Sequence, residues 1–174
     1  MTAIEDLTPD GFAPYGVALG FADGHDQTNA GFNAASDFWH EHDFISGTPG
    51  AEFLWVIYRS NDPMVTVLEA HLHTEQALLP LTGEVIQIVA VTGPDGGPDL
   101  ASLRAFRVRQ GQGIVMAPGC WHASRTDGTA VSCAMLTRNS TTRDLVNYLS
   151  TGAELVETRL VPSQVALSFD DNPA

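Results

Sequence analysis

Two histidines and two carboxylates stand at alternate positions in "LEAHLHTEQALLPLTGE", residues 68–84: Glu69, His71, His73 and Glu75. If the stretch is a strand, its side chains alternate faces with period two, so all four project from one side. Imidazole nitrogens and carboxylate oxygens on one face are the donors that a divalent metal ion takes. A second group lies downstream in "GQGIVMAPGCWH", where the turn Pro118-Gly119 precedes Cys120, Trp121 and His122. A strand with two imidazoles and a neighbour with a third make three protein ligands, which leaves positions open for a substrate. His71 and His73 are candidate metal ligands on one strand, and the downstream His122 is a candidate for the third. Zinc, manganese, nickel and iron all suit such a set.

The elements that must carry these residues read as strands. From residue 50 onward, "EFLWVIYRS", "MVTVLEAHLH", "EVIQIVAVTG", "LRAFRVRQG", "GIVMAPG" and "AVSCAMLTR" are β-branched or aromatic runs. Turn-forming "NDP", "TGE", "GPDGGPD", "GQG" and "TDGT" cut them at short intervals. The pattern predicts a mainly β fold, an antiparallel sandwich or small barrel. A helix is expected over 8–16, with Thr8 as N-cap and Pro9 in the first turn, ended by Gly16. The β core spans 50–138. A second helix is expected over 140–150, capped by Ser140 or Thr141, with Leu145, Val146 and Leu149 as its apolar stripe. "ELVETRLV" reads as a last strand, and 166–174 as a tail. No repeats interrupt the chain, so residues 1–174 form one domain on this reading.

Composition narrows the chemistry. The 174 residues carry a net charge of -13, with eight basic against 21 acidic side chains. Every basic residue is an arginine, which excludes Schiff-base and lysine-base catalysis. The acidic balance disfavours nucleic acid, whose phosphates need clustered cations. Two cysteines, Cys120 and Cys133, are too few for a disulfide framework. No apolar run approaches the roughly 20 residues that span a bilayer, and the N-terminus lacks a signal-peptide pattern, so a cytoplasmic protein is expected.

The H-x-H strand, the turn glycine Gly83 and the downstream P-G-x-x-H resemble the two motifs of the cupin superfamily. That resemblance implies a small jelly-roll-like barrel with the histidines converging inside it. Cupins place an acidic ligand seven positions before the turn glycine, which lands on Gln76, whereas strand parity favours Glu75; a bulge would exchange the two. Both stay open as the fourth ligand. "LTPDGFAPYG", the run from His71 through Gln76-Ala77 to Gly83, and "GQGIVMAPGCWH" further resemble the ureidoglycolate lyase family of the cupin superfamily. The resemblance carries over His71, Gln76 and His122, and more loosely Asn29 and His40. His73 and Glu75 depart from the family pattern, as does the segment after residue 130.

The family resemblance implies a metal-dependent carbon–nitrogen lyase, a small polar carboxylate as substrate, and a homodimer. An α-hydroxy carboxylate would lose a hydroxyl proton while its C–N bond breaks, giving an aldehyde acid plus urea or amine. On this reading Glu75 or Glu69 is the base, His40 or His42 the acid, and an arginine steadies the carboxylate. Asn29 and Trp121 are candidate substrate contacts, although Trp121 and Trp55 also suit a core or a pocket wall, and Glu69 a rim charge. Another metal-cupin activity, such as an isomerase or iron dioxygenase, and a non-catalytic ligand-binding cupin are the rival readings.

Overall fold

A computed structural model describes residues 1–21 and 30–169. Strands β1 (Thr2–Asp6), β6 (Met64–His71), β8 (Val85–Ala90), β9 (Arg104–Val108), β11 (Trp121–Arg125) and β13 (Thr158–Ser168) close a barrel in the order β1-β13-β6-β11-β8-β9. A five-stranded sheet packs against it: β2 (Gly16–Leu19), β10 (Gly113–Met116), β7 (Gln76–Pro80), β12 (Val131–Arg138) and β5 (Ala51–Tyr58), in that order. β3 (Ala30–Phe32) and β4 (Asp37–Trp39) form a separate hairpin. Helices α1 (Pro9–Phe12) and α2 (Asn139–Thr151) and a short 3-10 turn at Leu100–Ser102 complete the described elements.

The mainly β expectation with short helices at both ends holds, and three details differ. The barrel is closed by β1, which pairs parallel with β13 on one side and with β9 on the other, so its sheet is mixed. α1 is a single turn because Gly16, at φ +152°, already begins β2 against Met116. A Cβ on Gly16 would lie 1.9 Å from the Val115 carbonyl oxygen, so only glycine fits there. Residues 166–168, read as tail, belong to β13 and pair with β6 and β1.

Two cores explain why β8 reads as a continuous apolar run rather than an alternating one. Ile86, Ile88 and Ala90 face the barrel interior with Val65, Leu68, Ala105, Trp121 and Leu167. Val85 and Val89 face the other way, into a second cluster with Phe12, Leu78, Phe106, Ile114, Met116 and Met135 between barrel and sheet. All six β8 residues are buried, because both faces of the strand are covered. Gln87 is the polar exception; its side-chain oxygen accepts from Ser124 Oγ at 2.8 Å.

β5, at the edge of the five-stranded sheet, alternates instead. Leu54, Val56 and Tyr58 turn inward, while Phe53, Trp55 and Ile57 stay exposed, which removes Trp55 from the core. α2 likewise keeps Val146 and Leu149 exposed, so its apolar stripe is not buried. The expected caps serve elsewhere: Ser140 and Thr141 hydroxyls both donate to Glu157 Oε2, and Arg138 occupies the cap position without a side-chain bond. Among the described residues, no helix is long and apolar enough to cross a membrane.

Candidate metal centre

The barrel wall next to the five-stranded sheet carries the polar cluster. Glu69 and His71 lie two residues apart on β6 and share a face, and His122 on β11 is the cross-strand partner of Glu69. One ligand atom from each of the three falls within 4.8 Å of the others. His122 Nε2 stands 3.3 Å from Glu69 Oε1, and the two imidazole rings are 5.2 Å apart between centroids.

Local structure sets these positions. Gly119, at φ +78°, permits the turn after Pro118, and its N–H donates to the His71 carbonyl at 2.7 Å. The turn that starts β11 is thereby fastened to the residue that ends β6.

Both imidazoles are oriented through Nδ1. His122 Nδ1 donates to the Cys120 carbonyl at 3.0 Å, and His71 Nδ1 lies 3.2 Å from Thr158 Oγ1. The carbonyl contact places the His122 proton on Nδ1 and leaves its Nε2 lone pair to the cluster, and a Thr158 hydroxyl that accepts from His71 Nδ1 does the same for His71, as is usual for metal-bound histidine. His122 Nε2 is buried and finds no aligned hydrogen-bond partner among the described residues. Burial, reinforced by the charge of His122, pushes the His71 pKa down to about 4, so this imidazole is neutral at pH 7. Burial raises the Glu69 carboxyl pKa, but His122 and His71 outweigh it and hold the group below its ordinary value. A neutral His71 imidazole, the His122 imidazole and a carboxylate held below its ordinary pKa are a donor set that fits a divalent cation.

A cleft of about 260 Å³ opens on this cluster. Glu69 and His71 form its barrel side, and Leu54, Val56, Tyr58, Gln76, Met135 and Thr137 its sheet side. Thr141, Thr142 and Leu145 of α2 flank it. No arginine lines the cleft, so the expected arginine clamp is not there. Arg104, Arg107 and Arg109 are paired with Glu5, Glu84 and Asp6. A smaller hollow beside Val67, Ser124 and Leu160 reaches Glu69 and His122.

Several anticipated residues stand elsewhere. His73 is exposed, because β6 ends at His71 and the chain then crosses from barrel to sheet; it does not join the cluster. Glu75 is buried but faces away from the cleft, accepting from the Ile45 N–H at 2.6 Å and lying 3.0 Å from His42 Nε2. It anchors the 42–45 segment, and neither Glu75 nor His42 lines the cleft. His40 is exposed, pairs with Asp43 at 3.2 Å and does not line this cleft. Trp121 alternates with His122 and so points into the barrel core, not toward a ligand. Gln76 does line the cleft, beside the cluster but outside it. Asn29 lies outside the described residues. Cys120 is inert, its thiol pushed up to about 12 by burial.

Glu69 is the residue that sequence reasoning undervalued. Its parity with His71 was the available signal, and its pairing with His122 is what the fold adds.

A β-barrel with a two-histidine, one-carboxylate cluster beside a small cleft has the donor set of a metal site. Comparison with known proteins makes this specific. The family model described as ureidoglycolate lyase matches residues 1–154, and the chain belongs to that family. It is an enzyme of lyase type. The ureidoglycolate lyase of Rhodobacter capsulatus is 31% identical over 121 residues, covering 68% of this chain and 74% of that protein. That of Pseudomonas syringae pv. tomato is 32% identical over 123 residues, covering 68% and 71%. Among solved structures, a dTDP sugar isomerase from Desulfovibrio desulfuricans G20 superposes with a TM-score of 0.43 at 11% identity, over 77% of this chain and 80% of that one.

Proposed function

We propose that this chain is a ureidoglycolate lyase that works with a divalent metal ion held by Glu69, His71 and His122 in a cupin-type barrel. The observation that carries the reading is the buried His122 Nε2, without an aligned partner among the described residues and within reach of Glu69 and His71, which line the cleft. When bound, the metal supplies a positive charge for the substrate's carboxylate and lowers the pKa of its hydroxyl.

The chain's own groups do the rest. No arginine is among the described residues that line the cleft, so a metal ion held by Glu69, His71 and His122 would be the cation that draws the substrate carboxylate. Tyr58, whose phenol burial pushes up to about 12, stays protonated and can donate a hydrogen bond to the nitrogen that leaves. The apolar wall of Leu54, Val56 and Met135 excludes water from the breaking C–N bond. The balance is one hydroxyl proton lost, one carbonyl formed, one C–N bond broken and one proton gained by nitrogen, giving glyoxylate and urea.

The test is urea release from ureidoglycolate by protein loaded in turn with zinc, manganese, nickel and iron(II). Turnover with at least one metal, abolished in Glu69→Gln and in His122→Ala, is the expected result. Absence of urea with all four metals would overturn the assignment.

A further inference from the structure

We infer that Thr137, with Glu52 beside it, recognises the N–H-rich ureido end of the substrate and is the specificity-determining residue of the cleft. This rests on the reading proposed above. Thr137 is 2% exposed and lines the cleft from β12, on the sheet that faces the cluster. Its Oγ1 is buried and has no protein hydrogen-bond partner among the described residues. A buried hydroxyl left without a partner is a cost to the fold, and native structures keep few of them.

The same fault recurs next door. Glu52 is the cross-strand partner of Thr137 and shares the inward strand face of Leu54, Val56 and Tyr58, which line the cleft. Its Oε1 is also buried without a donor. The wall therefore presents the Thr137 hydroxyl beside the side-chain amide of Gln76 and the hydroxyls of Thr141 and Thr142, with the unpartnered Glu52 oxygen next to Thr137 on the adjoining strand.

These groups suit one end of the molecule and reject the other. A carboxyl oxygen wants an N–H donor and repels a carboxylate. A ureido group offers several N–H donors and a carbonyl, carries no charge, and can meet the carboxyl oxygen and the hydroxyl together. With the carboxylate drawn to the cluster, the substrate lies across the cleft, its ureido nitrogen end on the β5–β12 wall.

The experiment compares wild type, Thr137→Val and Thr137→Ser. Steady-state kinetics with ureidoglycolate are read beside binding of two unreactive probes, N-carbamoylglycine and glycolate, which share a carboxylate but differ in the ureido group. Thr137→Val is expected to raise KM and to weaken N-carbamoylglycine roughly 10-fold or more, with kcat changed only a few-fold. Glycolate binding should be unchanged, and Thr137→Ser should recover most of the loss. The melting temperature of Thr137→Val should hold or rise, because an isosteric methyl removes an unpaired hydroxyl; a structural threonine would show the opposite. Equal weakening of both probes, or unchanged N-carbamoylglycine binding in the folded variant, would overturn the inference. If wild type fails to cleave ureidoglycolate, the lyase assignment falls by itself. The probe contrast then still decides the wall, and failure of wild type to prefer N-carbamoylglycine over glycolate overturns that too.

Discussion

Replacing Thr158 by valine should weaken metal binding although Thr158 is no ligand. Thr158 is 2% exposed, sits directly across from His71 in the β6–β13 pairing, and offers Oγ1 at 3.2 Å to His71 Nδ1. Valine keeps the shape and deletes the acceptor. Two costs follow. A buried Nδ1–H without a partner costs the fold about 1–3 kcal/mol. The tautomer that presents Nε2 also loses its support, which for outer-shell partners of metal-bound histidine typically weakens binding about 10- to 100-fold, roughly 1.4–2.8 kcal/mol. Proton competition adds little at pH 7, since the His71 pKa lies near 4 and the imidazole is neutral before the metal arrives. The assay is zinc titration against a competing chelator at pH 7, with Thr158→Ser restoring the acceptor. Unchanged zinc affinity in a folded Thr158→Val protein would refute the argument that His71 is aimed through β13.

Further outcomes follow from the same geometry. His73→Ala should leave zinc affinity within about twofold in the same titration, because His73 is exposed beyond the end of β6. Glu75→Gln should loosen the 42–45 segment while sparing metal binding, since the carboxylate holds His42 and the Ile45 N–H; limited proteolysis and the zinc titration separate the two effects. Metal-free protein should lose stability as pH falls from 6.5 toward 4: the unfolded imidazole of His71 takes up a proton in that window and the folded one does not. The effect is on the order of 3 kcal/mol at most, and His71→Gln should flatten it in denaturant melts across that range. Asp144→Ala should destabilise the protein by about 1–3 kcal/mol in the same melts, because its carboxylate accepts from the N–H groups of Val156, Glu157 and Thr158.

The strand grammar was readable because it depends on neighbours in the chain. Alternation placed Glu69 with His71, and it also places Trp121 opposite His122, so the barrel-core position of Trp121 was legible in principle. His73 misled because nothing in "HLHTEQ" marks a break. The strand ends there because, after a last bond from the Leu72 N–H to the Glu157 carbonyl, the chain leaves the barrel and begins β7 of the other sheet at Gln76. The role of Glu75 depends on His42, 33 residues away, and that of Thr158 on a partner 87 residues away. "TAIED" has weak strand character by itself; β1 exists because β9 and β13 each leave an edge for it to pair with. Local pattern supplied the elements, and long-range pairing decided which side chains meet.

The closure of the barrel by β1 and β13 sets an order of events during synthesis. β1 leaves the ribosome first among the described strands and must wait for β9, about a hundred residues later, and β13, later still. Until residues 158–168 emerge, Leu167 is missing from the barrel core, His71 has no Thr158, and β6 presents an open edge along its length. The nascent chain therefore carries an unpaired strand and an unfinished site together, the combination that invites misassembly in slow, non-local β folds. One late pairing finishes both, so a chain that has completed its barrel has also aimed its first histidine.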